Sequence, residues 1–200
     1  QLTINNVNDD PEAAAATQSA EATEDDAFVY TLPEGLFSDA DGNALTYGLT
    51  AAPGWLSIDA DTGVVSGTPE NGDVGAVTFT VTASDGIGVD ATVDMTITVA
   101  NTNDAPVAVA DTASGNEDTQ ITIDVLANDT DPDMDALIIT SAESADGVVG
   151  IVGGQLVFTP TADFSGTAIV SYTVSDGDLS TTSEAVVTVN AVNDSPDAVD

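Results

Sequence analysis

Apolar residues alternate with Thr, Ser or Asp along most of this sequence. The alternation is clearest in residues 77–85, 91–100, 119–126, 168–176 and 184–192. These segments are rich in Val, Ile and Thr and are bounded by turn residues, which is typical of half-buried β-strands. No segment has the spacing of an amphipathic helix. Residues 11–22 (PEAAAATQSAEA) lack an apolar stripe, and we interpret them as irregular structure. The pattern predicts an all-β chain.

The tetrapeptide Asn-Asp-x-Pro occurs three times, at residues 8–11, 103–106 and 193–196. Its near-equal spacing predicts tandem repeats at residues 10–104 and 105–194. Many short strands within about 90 residues favour a Greek-key β-sandwich. The residues therefore predict two tandem Greek-key β-sandwich domains. The predicted aromatic core members are Trp55, Phe79, Phe37, Phe158, Phe164 and Tyr172.

The two ends of the sequence echo the repeats. Residues 1–9 (QLTINNVND) match residues 95–104 (MTITVANTND), so we expect them to be the last strand and linker of a preceding repeat. Residues 195–200 resemble residues 105–111 and would begin a following repeat. The sequence starts with Gln, and no basic segment precedes an apolar one as in a signal peptide. We expect a window on a longer, extended array.

The charge of the chain has one sign only. Its 200 residues include 35 acidic residues and no Lys, Arg or His, which gives a formal net charge of −35. Self-repulsion opposes compaction, unless high salt screens it or bound cations neutralise it. Disorder is the usual interpretation of so acidic a chain, but 42% of the residues are hydrophobic and alternate regularly. The absence of basic residues also suggests a saline habitat.

This composition excludes several kinds of partner and any disulfide cross-link. Nucleic-acid binding depends on Lys and Arg at phosphates, and an anionic membrane surface would repel the chain. No apolar run approaches the roughly 20 residues of a transmembrane helix. The chain has no Cys and therefore no disulfide. We expect a monomer that does not enter membranes.

Acidic and amide residues recur at matching places in the two repeats. Each repeat has a Glu-Asp pair near its start, an Asp-x-Asp cluster about fifteen residues later, and an Asp-Gly dipeptide near its end. The candidates are Glu24, Asp25, Asp39, Asp41 and Asp85 in repeat 1, Glu117, Asp118, Asp129, Asp131, Asp133 and Asp176 in repeat 2, and Asn8, Asp9, Asn103, Asp104, Asn193 and Asp194 in the linkers. Oxygen ligands without His or Cys suit a hard cation, and six to eight flexible ligands suit Ca²⁺ better than Mg²⁺. For any single cluster, simple turn formation is an equally good explanation. The repetition of the whole set in order favours Ca²⁺.

The sequence resembles the cadherin family. Residues 81–105 (TASDGIGVDATVDMTITVANTNDAP) resemble the end of a cadherin repeat, and residues 38–47 (SDADGNALTY) resemble its Asp-Ala-Asp segment. Residues 55–69 (WLSIDADTGVVSGTP) resemble the hairpin of dystroglycan-type cadherin-like repeats. Residues 125–133 and 158–177 of repeat 2 are similar to bacterial cadherin-like repeats of giant secreted adhesins. The resemblance implies cadherin or immunoglobulin-like sandwiches.

The resemblance also implies that Ca²⁺ is bound between successive repeats by ligands from both. Three sites follow. Glu24 and Asp25 would join Asn103, Asp104, Asp131, Asp133 and Asp176; Asn8 and Asp9 would join Asp39, Asp41 and Asp85; Asn193 and Asp194 would join Glu117 and a further repeat. The Asp-Arg-Glu triplet of animal cadherins is missing. Thr68-Pro69-Glu70 lies near its place in repeat 1, and Asp163 is a loose candidate in repeat 2, so the number of ions per linker stays open.

The function predicted from the sequence is structural. We expect a Ca²⁺-stabilised spacer of a bacterial cell-surface or secreted adhesin, with neighbouring repeats of the same chain as its partners. The alternative is a calcium-dependent carbohydrate-binding module, in which Phe28 and Tyr30 would form an exposed aromatic platform for a glycan. We do not expect an enzyme. Asp61-Thr62-Gly63 matches an aspartic-protease signature, but that chemistry needs two such aspartates sharing a proton, and no second copy exists.

Overall fold

The computed structural model describes residues 7–193 and divides into two compact units between Thr102 and Asn103. We call them repeat 1 and repeat 2. Most of the strand and linker expected at residues 1–9 lies outside the described residues. Asp194 and the start of a following repeat, expected at residues 195–200, lie outside them entirely. Among residues 7–193, no helix is long and apolar enough to cross a bilayer.

Repeat 1 is built from two main sheets. Within its described residues, the strands are β1 (Glu12–Ala13), β2 (Thr17–Thr23), β3 (Phe28–Thr31), β4 (Phe37–Ser38), β5 (Thr46–Thr50), β6 (Leu56–Ile58), β7 (Val64–Gly67), β8 (Gly75–Ser84) and β9 (Ala91–Ala100). One sheet has the order β2-β9-β8-β5 and the other β3-β7-β6, while β1 pairs with β4. A 3-10 turn, Asn71–Asp73, precedes β8. The parallel pairing of β2 with β9 requires a long crossover, and all the other pairs are antiparallel.

Repeat 2 has the same two-sheet arrangement. Its strands are β10 (Asp111–Asn116), β11 (Ile121–Ile123), β12 (Ile138–Glu143), β13 (Gly147–Val152), β14 (Gln155–Pro160), β15 (Gly166–Ser175) and β16 (Ser180–Asn190). The sheets have the orders β10-β16-β15-β12 and β11-β14-β13. As in repeat 1, the first long strand pairs in parallel with the last.

The core of each repeat follows from the alternation of its long strands. In β9, every second residue from Ala91 to Val99 is buried, and the residues between them are partly or fully exposed. The same holds for Ala168 to Val174 in β15. Because side chains of a strand point alternately to its two faces, one apolar set from each sheet meets in the core. The prediction of an all-β chain with β-sandwich domains is confirmed.

The predicted aromatic residues all lie in or against the two cores. Phe37 and Phe79 in repeat 1, and Phe158 and Tyr172 in repeat 2, are buried. Trp55 and Phe164 are partly buried and pack against the same clusters.

One interpretation of the sequence was wrong. Residues 11–22 are not irregular throughout, because they contain β1 and most of β2. Two partly buried alanines of β2, Ala20 and Ala22, pack against the core. This strand lacks the β-branched apolar residues that identify strands locally, and its regular structure depends on parallel pairing with β9, some 77 residues later at Thr17↔Asp94.

Candidate metal centre

The linker segment that opens repeat 2 is hydrogen-bonded to two aspartates of the same repeat. The side-chain amide of Asn103 donates to Oδ2 of Asp176 over 2.9 Å. The backbone N–H of Asp104 donates to Oδ2 of Asp133 over 2.7 Å. The linker is therefore fixed to the late Asp-Gly turn and to the Asp-x-Asp loop, the two clusters that sequence spacing linked to it.

The Asp-x-Asp loop of repeat 2 is folded around one carboxylate. Oδ1 of Asp131 accepts the backbone N–H groups of Asp133 at 2.9 Å and Asp135 at 3.2 Å. Its other oxygen, Oδ2, is buried and has no hydrogen-bond partner. Asp131, Asp133 and Asp135 each offer a carboxylate oxygen, and these oxygens lie within 4.8 Å of one another. The loop thus gathers three acidic groups at one point.

Repeat 1 opens with the same arrangement. The side-chain amide of Asn8 donates to Oδ2 of Asp85 over 2.8 Å, and the backbone N–H of Asp9 donates to Oδ2 of Asp41 over 2.8 Å. Oδ1 of Asp39 accepts the N–H groups of Asp41 at 3.0 Å and Asn43 at 2.9 Å. Oδ2 of Asp39 is again buried without a partner. The two repeats therefore leave the equivalent oxygen unsatisfied.

The late aspartates of both repeats are held in the ionised form. The backbone N–H of Ile87, followed by the Asn8 amide, lowers the pKa of Asp85 below its usual value. Burial alone would raise the pKa of Asp176, but bonds from the Asn103 amide and two backbone N–H groups outweigh it and lower that pKa. Hydrogen bonds to a carboxylate favour its charged form, so both sites keep a negative charge available for a cation.

Each repeat also buries one glutamate directly after its first long strand. Glu24 follows β2 and is 1% exposed, and Glu117 follows β10 and is 5% exposed. Oε1 of Glu24 accepts the backbone N–H of Thr102, and Oε1 of Glu117 accepts that of Val192. Oε2 of Glu24 is buried and has no partner. A buried carboxylate is costly unless paired, and the chain contains no basic side chain that could pair with it.

The remaining candidates contribute less to these groups. Asp25 and Asp118 are exposed and occupy left-handed turn positions, with φ of 61° and 59°. Oδ1 of Asp118 accepts the backbone N–H of Asp163 over 3.4 Å, which places that loose candidate beside it. Asn193 is exposed.

Asp129 belongs to a separate acidic pair. Its Oδ1 accepts the backbone N–H of Val109 over 2.8 Å, and burial, with a smaller effect from nearby Asp111, raises its pKa. Oδ2 of Asp111 in turn accepts a hydrogen bond from the Tyr172 hydroxyl over 2.7 Å. Asp129 is not one of the three carboxylates that converge at Asp131.

Two residues of the loops were missed from the sequence. Asn43 donates its side-chain amide to Oδ1 of Asn8 over 2.9 Å, and Asp135 is the third acid of its loop. Both continue the alternate-residue spacing of Asp39-x-Asp41 and Asp131-x-Asp133 by one further step. Extending that spacing to a third position would have identified them.

The donor set fits Ca²⁺. Every donor side chain is a carboxylate or amide oxygen, and Ca²⁺ takes six to eight oxygen ligands in flexible geometry. Buried polar atoms are normally satisfied by a hydrogen bond or an ion, and the unpartnered oxygens of Asp39, Asp131 and Glu24 are the atoms that a cation would satisfy. The same arrangement occurs in both repeats, which turn formation alone does not require.

The aromatic pair considered for a glycan does not form an exposed platform. Phe28 is 7% exposed and packs edge-on against Trp55, with ring centroids 6.1 Å apart. Tyr30 is partly buried, and its hydroxyl donates to Oε1 of Gln18 over 3.2 Å.

Comparison with protein families agrees with the two-repeat architecture. Residues 103–190 match the family described as "Bacterial Ig domain", and residues 10–100 match the family described as "Putative Ig domain". No curated protein matches the chain.

Solved structures with similar folds include cadherin repeats. Mouse cadherin-23 repeats EC22–24 superimpose with a TM-score of 0.60 at 22% identity, covering 92% of this chain and 65% of that structure. Human protocadherin-24 repeats EC1–2 give a TM-score of 0.54 at 18% identity, covering 91% of this chain and 99% of that one. An endo-fucoidan hydrolase of glycoside hydrolase family 107 superimposes with a TM-score of 0.48 at 28% identity. The match covers 92% of this chain but only 29% of the length of the hydrolase.

Proposed function

Because the chain consists of two tandem immunoglobulin-like repeats of the cadherin-like kind, we propose that it is a Ca²⁺-stabilised spacer of an extracellular or cell-surface adhesin. Its role would be mechanical and not catalytic. Ions bound at the linkers would stiffen the array and hold other domains away from their anchor.

One observation carries this proposal: the equivalent oxygen, Oδ2 of Asp39 and of Asp131, is buried and unpartnered in both repeats. In each case the other oxygen of the carboxylate is occupied by two backbone N–H groups, so the side chain cannot turn away without losing them. An orphaned buried acceptor costs about 1–3 kcal/mol, more if it is charged. Both repeats carry this cost at the equivalent position. Such a repetition is expected if a bound ligand normally offsets the cost.

Chain connectivity explains how such a site would act on the linker. Glu24 of repeat 1 holds the N–H of Thr102, and the next residue, Asn103, is held by Asp176 of repeat 2. We propose that Glu24 and Asp25 share a Ca²⁺ site with Asn103 and Asp104. Asp131, Asp133 and Asp176 would complete it, and Asp135 is an additional candidate. Asn8, Asp9, Asp39, Asp41 and Asp85 would serve the preceding linker, and Glu117, Asn193 and Asp194 the following one.

The charge of the chain supports an extracellular role for the ion. The chain has a net charge of −35 and no cationic side chain. Only cations from the surrounding solution can therefore reduce the repulsion between its acidic groups. Extracellular calcium modules bind with dissociation constants of about 10⁻⁴–10⁻³ M. At a hundredfold excess over such a constant, selective binding to the folded state adds about 2.7 kcal/mol.

Thermal unfolding at constant ionic strength tests this proposal. The protein is titrated with Ca²⁺, with Mg²⁺ as the matched divalent control and with a chelator as the reference. We expect the melting temperature to rise by several degrees in Ca²⁺ at millimolar concentration and much less in Mg²⁺. Equal responses to both ions would indicate charge screening and contradict a specific site.

A further inference from the structure

Repeat 1 has a groove that the proposed metal centre does not use. It has a volume of about 780 Å³ and runs along β2 and β3. Its apolar lining includes Ala20, Ala22, Phe28 and Tyr30, and its carboxylates are those of Glu21 and Asp26. Pockets of about 300–1,000 Å³ with an apolar lining and a few polar groups are typical binding sites.

Both strands along this groove are edges of their sheets. Among residues 7–193, β2 ends the four-stranded sheet and pairs only with β9, and β3 ends the three-stranded sheet and pairs only with β7. One side of each strand therefore has no neighbouring strand, and its backbone groups can accept an added one. A groove between two such edges suits an extended peptide better than a compact ligand.

Repeat 2 has the same two edge strands, β10 and β11, but neither the space nor the charge between them. Counted from the buried glutamates, Ala22 corresponds to Gly115 and Phe28 corresponds to Ile121. There the strands pack so closely that a β-carbon added to Gly115 would lie 2.4 Å from Cγ1 of Ile121. The exposed residues of β10, namely Thr112, Ser114 and Asn116, are uncharged. The acidic groove is thus a property of repeat 1 and not of the fold.

The residues of β2 define what an added strand should carry. Ala20 and Ala22 pack against the apolar core, whereas Glu21 between them is exposed. Side chains of an added strand alternate with the same period. Those level with the alanines would cover Phe28 and Tyr30, and those level with Glu21 would lie beside its carboxylate.

Charge complementarity selects the class of partner. A second copy of this chain has no Lys or Arg to place beside Glu21 and Asp26, and it carries the same net charge of −35. We propose that the groove of repeat 1 binds an extended peptide segment of another protein, in which apolar residues alternate with Lys or Arg, by adding it as a strand to β2. This mode of recognition combines backbone hydrogen bonds with pockets for alternate side chains.

The single tryptophan provides a readout. Trp55 contacts Phe28 edge-on at 6.1 Å between centroids, and Phe28 lines the groove. The intact chain in saturating Ca²⁺ is titrated with a seven-residue peptide of alternating Val and Lys, matching the length of β2. A peptide of the same composition with its lysines grouped at one end controls for charge alone. We expect saturable changes in Trp55 fluorescence and in the amide resonances of β2 and β3 with the alternating peptide only.

Variants separate the groove from the overall charge. Ala22→Leu fills the groove and should abolish binding. Should that variant fold poorly, Glu21→Gln with Asp26→Asn leaves the groove open and should weaken binding about fivefold. Glu34→Gln with Asp61→Asn removes the same charge from exposed positions outside the groove lining and should change affinity by less than about twofold.

The proposal would be overturned by no binding of the alternating peptide, by equal binding of the grouped peptide, or by equal weakening by both charge variants. A fluorescence response to cellohexaose without one to the peptide would also overturn it, and would assign the groove to a neutral glycan. The experiment does not depend on the proposed spacer function, since it is carried out with the metal sites saturated.

Discussion

The side-chain amide of Asn103 donates a 2.9 Å hydrogen bond to Asp176, 73 residues later in the chain. Asn8 and Asp85 form the same pair at 2.8 Å in repeat 1. In both pairs the amide nitrogen is the donor. An amide oxygen has two lone pairs, and although the oxygen of Asn8 accepts the Asn43 amide, each amide oxygen keeps a lone pair that can approach a cation. The linker asparagine can therefore join two parts of a site, holding an acid through its nitrogen and a metal through its oxygen.

The aspartates that anchor the two loops should control Ca²⁺ binding separately. Asp131→Asn keeps an oxygen for the N–H groups of Asp133 and Asp135 but removes the charge. We expect it to abolish most of the Ca²⁺-dependent rise in melting temperature of repeat 2, whereas Asp39→Asn should do so for repeat 1. Calorimetric unfolding with and without Ca²⁺ measures the rise in melting temperature of each repeat. Asp124→Asn, at an exposed position outside these clusters, is the control and should leave the rise intact.

The effect of Glu24→Gln should change sign with calcium. In chelator, the glutamine removes a buried, incompletely paired charge and should raise the free energy of unfolding by about 1 kcal/mol. In Ca²⁺ it loses a ligand and should lower that free energy by a similar amount. Urea unfolding in both solutions measures the difference, and Glu117→Gln is the matched change in repeat 2. Destabilisation of equal size in both solutions would show that Glu24 is structural only.

The packing of Trp55 depends on a glycine opposite it. A β-carbon at Gly67 would lie 2.0 Å from the carbonyl oxygen of Trp55. Because that oxygen belongs to the backbone, Gly67→Ala must displace a strand, and we expect a loss of about 3 kcal/mol with an altered Trp55 fluorescence spectrum. Gly54→Ala is the control, since nothing lies within 4 Å of its added carbon. If Gly67→Ala unfolds like the parent protein, the close approach of β7 to Trp55 is incorrect.

The hairpin between β6 and β7 should show a depressed aspartate pKa. The Thr62 hydroxyl, followed by the N–H groups of Thr62 and Asp61, lowers the pKa of Asp59 from its usual value. A group whose folded pKa is depressed stabilises the fold above its unfolded pKa, and that contribution is lost as pH falls through the folded value. Carboxyl NMR should show Asp59 titrating below the usual range of an aspartate, and Thr62→Val should move its midpoint upward. An unchanged midpoint in Thr62→Val would contradict the hydroxyl as the main cause.

The alternating strands could be predicted from sequence because their pattern is local. Ala91 to Val99 places every second residue in the core, so the pattern determines which face of β9 is buried. The sequence from 119 to 126 predicted a longer strand than Ile121–Ile123, because Val125 is buried in the turn that follows and not in a sheet. β2 was missed because its partner is distant and its core residues are alanines.

The candidate metal centre could be located from sequence, but its geometry could not be predicted. Recurrence of Asp39-x-Asp41 and Asp131-x-Asp133 identified the loops. Which oxygen is committed to backbone N–H groups and which is orphaned depends on how each loop folds, and spacing does not determine that. The groove of repeat 1 depends on the small volume of Ala20 and Ala22 beside Phe28, a relation between strands that no motif marks.

Small-angle X-ray scattering tests the spacer function most directly. The intact chain is measured in millimolar Ca²⁺, in Mg²⁺ and in chelator, at one high ionic strength so that screening is constant. We expect a longer and narrower distance distribution in Ca²⁺ than in either reference, and its loss in the Asp131→Asn variant. Superimposable scattering curves in Ca²⁺ and chelator would contradict a calcium-stiffened joint.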